Sequence, residues 1–314
     1  MVRSFAHGEF PLERLRERKR EDVTVVLPTR EVADTVGAIV ERTLALEGLV
    51  DQVLVVDAAS ADGSAEVAAA AGAETVQEAE LAAELGPVLG KGDAMWRALL
   101  RARGGLVVYL DSDTRDFSAH FVTGLLGPLL CEEGVEFVKG AFRRPFTNGD
   151  GSSGGPGGGR VTELAARPLL SAFYPDLAAL VQPLAGEVAA RRSLLERIPF
   201  ATGYAVETTM LLDVRDAVGT GAIAQVDLEQ RLNHHQPLSA LGPMAYAVLA
   251  AVCERLQREG RLQEERLAPF QAAGGVLPEV ELGQRPPLAS LEHAPRTSAR
   301  SAVRSLPVGA QADR

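Results

Sequence analysis

Short β-branched apolar runs alternate with segments of helical spacing through the first half of the chain, and this alternation constrains the fold more than any other feature. Val23–Leu27 (VTVVL) ends at Pro28, Gln52–Val56 (QVLVV) stops at Asp57, and Leu106–Leu110 (LVVYL) runs directly into Asp111-Ser112-Asp113. Ala73–Gln77 reads as a weaker strand of the same kind. Between these runs, residues 33–46 place Val36, Ile39, Val40 and Thr43 on one helical face. Ser60-Ala61-Asp62-Gly63 is a turn and cap signal opening a helix through Glu66–Ala71, and Lys91–Arg103 turns Met95, Leu99 and Ala102 inward. Strands that are apolar almost throughout are buried on both faces. The pattern therefore predicts an α/β fold, a mostly parallel Rossmann-like sheet with helices on both sides. Ligands of such sheets bind beyond the carboxyl ends of the strands, which sets Pro28–Glu31, Asp57–Ser60 and Asp111–Asp113 on a single rim.

The second half reads differently. Glu136–Gly140 is a further strand candidate, and residues 149–159 hold seven glycines in eleven positions, the signature of a mobile loop. Helical patches over Thr162–Leu180 and Pro183–Leu195 are interrupted by Pro168, Pro175 and Pro183. Val206–Leu212 suits helix or strand, and Pro237–Arg258 is a long apolar helix. The expected organisation is an N-terminal extension over 1–20 and a ligand-binding α/β half over 21–140. A smaller, mainly helical part follows over 141–282, with its glycine-rich loop at 148–159, and a disordered tail closes the chain over 283–314.

Composition removes several classes of function. No apolar stretch reaches the ~18–20 residues of a membrane span, and the charged start MVRSFAHGEFPLERLRERKRED is unlike a secretory signal. Two cysteines, Cys131 and Cys253, make no disulfide framework, so a cytoplasmic protein is expected. A net charge of −10 offers no basic stripe for nucleic acid. Only three of the 32 basic residues are lysine: Lys19, Lys91 and Lys139.

Several clusters carry chemistry. Asp111 and Asp113, one residue apart at a strand end, suit a hard divalent cation such as Mg²⁺ or Mn²⁺ together with a diphosphate; Asp and Ser are also ordinary turn and cap residues there. Lys91 stands between Gly90 and Gly92, where the backbone approaches a ligand closely, although a solvated lysine at a helix start reads the same way. Gly159-Arg160-Val161-Thr162 joins a glycine-rich loop to a helix start, combining backbone N–H groups with a guanidinium fork suited to phosphate or carboxylate, or simply capping a helix after a linker. His234-His235 offers a metal ligand in a chain with five histidines, or an exposed pair before Pro237. Glu207 is a carboxylate in an apolar setting, fit to hold sugar hydroxyls or to form one arm of an ion pair. There is no G-x-x-x-x-G-K-[ST] and no G-x-G-x-x-G, which excludes a P-loop and weighs against a dinucleotide-binding domain.

Together the segments PTRE (Pro28–Glu31), DAAS (Asp57–Ser60), GKGDAMW (Gly90–Trp96) and YLDSD (Tyr109–Asp113) resemble a nucleotide-sugar glycosyltransferase of GT-A type. GGRVTE (Gly158–Glu163), ARPLL (Ala166–Leu170), GYAVE (Gly203–Glu207) and HHQPL (His234–Leu238) narrow the resemblance to the bacterial mannosyl-3-phosphoglycerate and glucosyl-3-phosphoglycerate synthases, over residues 20–250. The resemblance implies a retaining hexosyl transfer from GDP-mannose or UDP-glucose to the 2-hydroxyl of 3-phosphoglycerate, by a homodimer that requires a divalent metal. Pro28, Thr29, Arg30, Glu31, Ser60, Lys91, Asp111 and Ser112 would hold the nucleotide sugar, and Tyr204, Ala205, Val206 and Glu207 its hexose. Gly159, Arg160, Val161 and Thr162 would bind the acceptor. Asp113 would ligate the metal with His234, for which His235 and Asn233 are alternates; Glu207, Lys91 and Asp113 would be the catalytic set. The glycine-rich loop is expected to order over the acceptor. Competing classes are a Mg²⁺-dependent nucleotidyltransferase, whose basic glycine-rich signature after the first strand is missing from PTREVAD, and a non-catalytic nucleotide-sugar-binding protein.

Overall fold

The computed structural model describes residues 1–147, 153–156, 159–232, 237–263, 271–272, 275–276 and 283–291. Along the chain it runs β1 (Arg3–Ala6), α1 (Leu12–Arg18), β2 (Val23–Thr29), α2 (Val36–Leu44), β3 (Gln52–Asp57), α3 (Ser64–Ala70), β4 (Glu74–Gln77) and α4 (Lys91–Ala98). There follow β5 (Leu106–Tyr109), α5 (His120–Cys131), β6 (Phe137–Arg143), β7 (Pro145–Thr147), β8 (Ser153–Pro156) and α6 (Arg167–Phe173). The last major elements are β9 (Val188–Arg191), α7 (Arg192–Leu195), β10 (Phe200–Ala201), α8 (Val206–Val218), β11 (Ile223–Gln230) and α9 (Leu238–Arg258).

Eight strands form one sheet in the order β1-β11-β6-β9-β5-β2-β3-β4. All neighbours are parallel except β9, which runs antiparallel to both β5 and β6. The strands sort their side chains as a doubly covered sheet requires. Val26, Leu54, Val56, Val107 and Tyr109 pack with Trp96 and the α8 residues Met210 and Leu211 on one face. Val25, Leu27, Val55, Leu106 and Val108 pack with Ile39 and Val40 of α2 and Leu125 of α5 on the other. The predicted mostly parallel α/β sheet and its first four strands are therefore present.

Three departures have local physical causes. Residues 1–20 are no appendage: β1 is a parallel edge strand beside β11, and Phe10 and Leu15 are buried, Phe10 against the open face of Gly127. The second half adds β9 and β11 to the same sheet rather than building a mainly helical layer. Val188–Arg191 (VAAR) has little intrinsic strand preference, and it is extended because β5 and β6 offer ladder hydrogen bonds on both sides. Pro168 does not break its helix, because a π turn over Thr162–Ala166 leads into α6 and relieves the demand for an amide donor at the proline.

The expected tail starts later than its composition indicates. Residues 283–291 lie along α4: Arg285 pairs with buried Asp93 at 2.8 Å, Trp96 donates its indole N–H to the Pro286 carbonyl at 2.9 Å, and Leu288 is buried. Within the glycine-rich segment, Ser153–Pro156 pairs antiparallel with Pro145–Thr147; residues 148–152, 157–158 and 292–314 lie outside the described residues.

Candidate active site

The carboxyl ends of β2, β3, β4 and β5 meet on one rim, tied by side chains. Ser112 donates to the Pro28 carbonyl at 2.7 Å, and Thr35 donates to the Ser112 carbonyl at 2.6 Å, joining the ends of β2 and β5. The Glu31 amide donates to the Ser60 hydroxyl at 3.0 Å, while the Glu31 carboxylate accepts from the Ala61 amide at 2.8 Å. Ser60 in turn donates to Asp57 at 2.6 Å, and Gln77 donates to the other Asp57 oxygen at 3.0 Å. Glu31 holds φ at +52°, a left-handed backbone that these bonds maintain. Pro28, Thr29, Glu31, Ser60, Asp111 and Ser112, proposed from separate motifs, thus share one surface, with Arg30 exposed beside them.

Lys91 is brought to this rim from α4. Gly90 adopts φ +105°, and the amides of Gly92 and Asp93 donate to the Thr202 carbonyl at 2.9 and 3.2 Å, pressing the helix start against β10. A Cβ on Gly92 would stand 1.8 Å from the Ala201 carbonyl oxygen, so glycine is required for this approach. The Lys91 ammonium then bridges Asp111 Oδ1 at 2.6 Å and Glu207 Oε1 at 2.8 Å, Glu207 standing in the first turn of α8. Burial alone would depress the ammonium, but the Asp111 and Glu207 carboxylates outweigh it and hold Lys91 well above the usual lysine range. Burial works against the Asp111 charge in the same way, and Lys91 and Arg231 outweigh it, keeping its carboxyl far below the usual range.

The remaining predicted residues take supporting positions. Ala205 and Val206 are buried, so of the four hexose candidates Tyr204 and Glu207 alone present side chains toward solvent or charge. Gly159 adopts φ +78° before Arg160 and Val161 start the helix, and Thr162 is buried. Gln182 lies beside Gly159 and donates to the Phe142 carbonyl at 3.1 Å, which sets this segment near the end of β6. Asn233, His234 and His235 lie outside the described residues.

Four residues were missed by the sequence reading. Arg231, 1% exposed at the end of β11, lies 2.9 Å from Asp111 Oδ2, 2.7 Å from Asp113 Oδ1 and 2.9 Å from Glu187 Oε1. The Arg144 guanidinium lies 5.3 Å and that of Arg231 5.6 Å from the Phe142 ring centre, and the Arg144 Nε is buried without a hydrogen-bond partner among the described residues. Lys139, buried in β6, donates to the Ala185 carbonyl at 2.6 Å. Twenty-nine arginines conceal any one of them, and Glu187 sits in no motif; Lys139 carried the same rarity that singled out Lys91.

Lys139 supplies a stability test. Burial pushes its ammonium down to about 8, against partial support from Glu207. Its buried charge opposes folding fully below pH 8, and that opposition is relieved as the pH rises toward the ordinary value of 10.5, since the unfolded chain then holds the extra proton. The Tm difference between Lys139→Met and wild type is expected to move in favour of the wild type between pH 7 and pH 10. A difference independent of pH would overturn the assignment.

The donor set suits a divalent cation completed by substrate. Asp113 is 40% exposed, with one oxygen on Arg231, and carboxylate oxygens are hard ligands. Among the described residues no three His, Cys, Asp or Glu side chains form a closed metal cage.

Comparison with known proteins gives the family. Residues 24–155 match the glycosyl transferase family 2 model. Glucosyl-3-phosphoglycerate synthase of Mycolicibacterium smegmatis is 41% identical over 86% of this chain and 89% of its own length, and that of Petrotoga mobilis is 38% identical over 83% of each. The structure superposes on mannosyl-3-phosphoglycerate synthase from Rubrobacter xylanophilus with a TM-score of 0.83 at 51% identity, covering 91% of this chain and 96% of that one. It also superposes on glucosyl-3-phosphoglycerate synthase from Mycobacterium tuberculosis, in complex with Mn²⁺, UDP-glucose and phosphoglyceric acid, with a TM-score of 0.81 at 37% identity, covering 92% and 98%. This chain belongs to the family of glucosyl-3-phosphoglycerate and mannosyl-3-phosphoglycerate synthases, glycosyltransferases of GT-A fold.

Proposed function

We propose that the protein transfers a hexosyl group from GDP-mannose or UDP-glucose to the 2-hydroxyl of 3-phosphoglycerate, giving mannosyl- or glucosyl-3-phosphoglycerate. The observation that carries this reading is the Lys91 ammonium held between Asp111 and Glu207 at the donor rim. A permanent positive charge there would offset the negative charge gained by a departing nucleoside diphosphate, and Glu207 on the same ammonium would be able to orient a sugar hydroxyl. Pro28–Glu31 and Ser60 would hold the nucleoside. Arg160 with the start of its helix would hold the acceptor's phosphate or carboxylate. Asp113, with His234 or its neighbours, would hold Mg²⁺ or Mn²⁺, which when bound supplies Lewis-acid stabilisation of the leaving diphosphate. Glu207 is assigned to positioning the hexose or the acceptor hydroxyl.

The proposal includes a homodimer in a reducing, cytoplasmic setting. Cys131 and Cys253 are both unpaired, and among the described residues no helix is long and apolar enough to cross a membrane. Leu164 and Leu238, 77% and 71% exposed, sit on elements that pack together and leave apolar surface for a second copy. Light scattering coupled to size exclusion would read the dimer.

Incubation of GDP-mannose, UDP-glucose, GDP-glucose and ADP-glucose with 3-phosphoglycerate, with and without Mg²⁺, tests the activity. Metal-dependent product is expected from the first two donors. Asp113→Ala is expected to lower transfer by at least ~100-fold, in keeping with the loss of a charge-stabilising group. No product on 3-phosphoglycerate from any donor would overturn the reading, and sugar-1-phosphate plus nucleoside triphosphate turnover would replace it with nucleotidyl transfer.

A further inference from the structure

One buried ion pair at the site is unexplained by donor or acceptor binding. Glu187 and Arg231 are each 1% exposed and 2.9 Å apart, yet among the described residues neither Glu187 oxygen nor the facing Arg231 Nη1 completes a well-directed hydrogen bond. The same guanidinium lies against Asp111 and Asp113. Three carboxylates therefore share one buried cation, and two of them form the Asp-Ser-Asp segment. A guanidinium cannot shed its charge, so in a buried position it needs an anionic partner at all times. On Asp113 Oδ1 it also occupies an oxygen that a divalent cation would compete for.

We propose that Arg231 is the resident counter-ion of Asp111 and Asp113, and that Glu187 is the positioning residue that draws Arg231 away from Asp113 and so sets how tightly Asp113 holds a divalent cation. The inference rests on the assignment of Asp113 as a metal ligand. The orphaned Glu187 oxygens are the feature that distinguishes this arrangement from a purely structural pair. They form an acceptor with spare capacity on Nη1, while Asp113 accepts from Nη2 of the same guanidinium at 2.7 Å. Burial pushes the Glu187 carboxyl upward while Arg231 opposes the rise, the behaviour of a carboxylate that depends on its guanidinium. Gly186 and the Gly140 amide, which donates to the Glu187 carbonyl at 2.8 Å, fix the backbone from which Glu187 reaches. Since cation and guanidinium compete for Asp113, removing either control has opposite effects on the cation.

The test measures Mn²⁺ affinity directly, by the electron paramagnetic resonance signal of free Mn²⁺ titrated with full-length protein and GDP or UDP. Glu187→Gln keeps the shape and removes the charge, so Arg231 is left to Asp111 and Asp113, and Mn²⁺ affinity is expected to fall about tenfold or more, as for other residues that orient metal ligands. Arg231→Lys keeps the charge on a stem that cannot span three carboxylates, and its affinity is expected to equal or exceed that of wild type. If Glu187→Gln does not fold, Glu187→Asp, which retains the charge but falls short of Arg231, takes its place with the same expectation. A purely structural pair would lower Tm in every variant and leave Mn²⁺ affinity unchanged. Wild-type binding with unchanged affinity in Glu187→Gln, or weakened affinity in Arg231→Lys, overturns the inference. Absence of wild-type Mn²⁺ binding overturns the metal assignment itself, and the inference with it.

Discussion

Lys91→Ala is expected to lower kcat by about 10²–10³-fold, the range seen when one preorganised charge-stabilising donor is removed. The size follows from the two contacts that disappear together. Asp111 and Glu207 share the ammonium at 2.6 and 2.8 Å, so its loss leaves two carboxylates facing one another across the donor site. Negative charge then accumulates where the leaving diphosphate must develop more of it. Burial is outweighed by the two carboxylates in setting the Lys91 ionisation, so the ammonium stays charged throughout the neutral range. The pH profile of the wild type should accordingly show no basic limb belonging to Lys91. Lys91→Arg is not expected to rescue: the ammonium sits in a gap bounded by Gly186, and a planar fork is broader than a point charge. Steady-state kinetics against donor and acceptor, with circular dichroism to confirm the fold, would check this. Activity within tenfold of wild type in Lys91→Ala would remove Lys91 from the mechanism.

The site is legible in the sequence where function and local pattern coincide. A buried parallel strand must be apolar throughout, so LVVYL announced β5, and the first polar residues after it had to lie on the rim. Lys91 was legible through rarity and flanking glycines, both of which survive in the sequence without a structure. Arg231 and Glu187 were not legible, because their meaning comes from long-range closure: β11 returns beside β6, and Arg231 N–H bonds to the Arg143 carbonyl at 3.0 Å only after that pairing exists. Neither residue has a local signal, since one is an arginine among 29 and the other follows a glycine in an unremarkable run. The antiparallel β9 was hidden for a related reason. Alanine-rich VAAR is made a strand by its neighbours, and the turn that precedes it delivers Gly186 and Glu187 to the site. The C-terminal docking segment was masked by composition, because proline and serine give no periodicity even where Arg285 and Leu288 anchor the chain.

Gly186→Ala is expected to separate activity from stability, lowering kcat about 100-fold while Tm stays within a few degrees of wild type. A Cβ at this position would stand 2.3 Å from Asp111 Oδ1, 2.7 Å from Asp111 Cγ and 2.7 Å from Lys91 Nζ. Those atoms belong to side chains rather than to backbone, so the overlap is relieved by displacing them rather than by opening the sheet. The displaced pair is the one that the mechanism requires, and a misplacement near 1 Å is enough to cost about 10²-fold in rate. Gly92→Ala provides the opposing control. Its Cβ would meet the Ala201 carbonyl oxygen at 1.8 Å and Val206 Cβ at 2.8 Å, parts of the packed framework that cannot swing aside. Overpacking of that kind costs roughly 1–3 kcal/mol, so Gly92→Ala should lose Tm as well as activity. The two glycines serve the same lysine differently, Gly186 keeping space for the reacting charges and Gly92 seating the helix that carries Lys91. Equal Tm losses in the two variants would mean that Gly186 serves the framework, and that the gap beside Asp111 and Lys91 is incidental to catalysis.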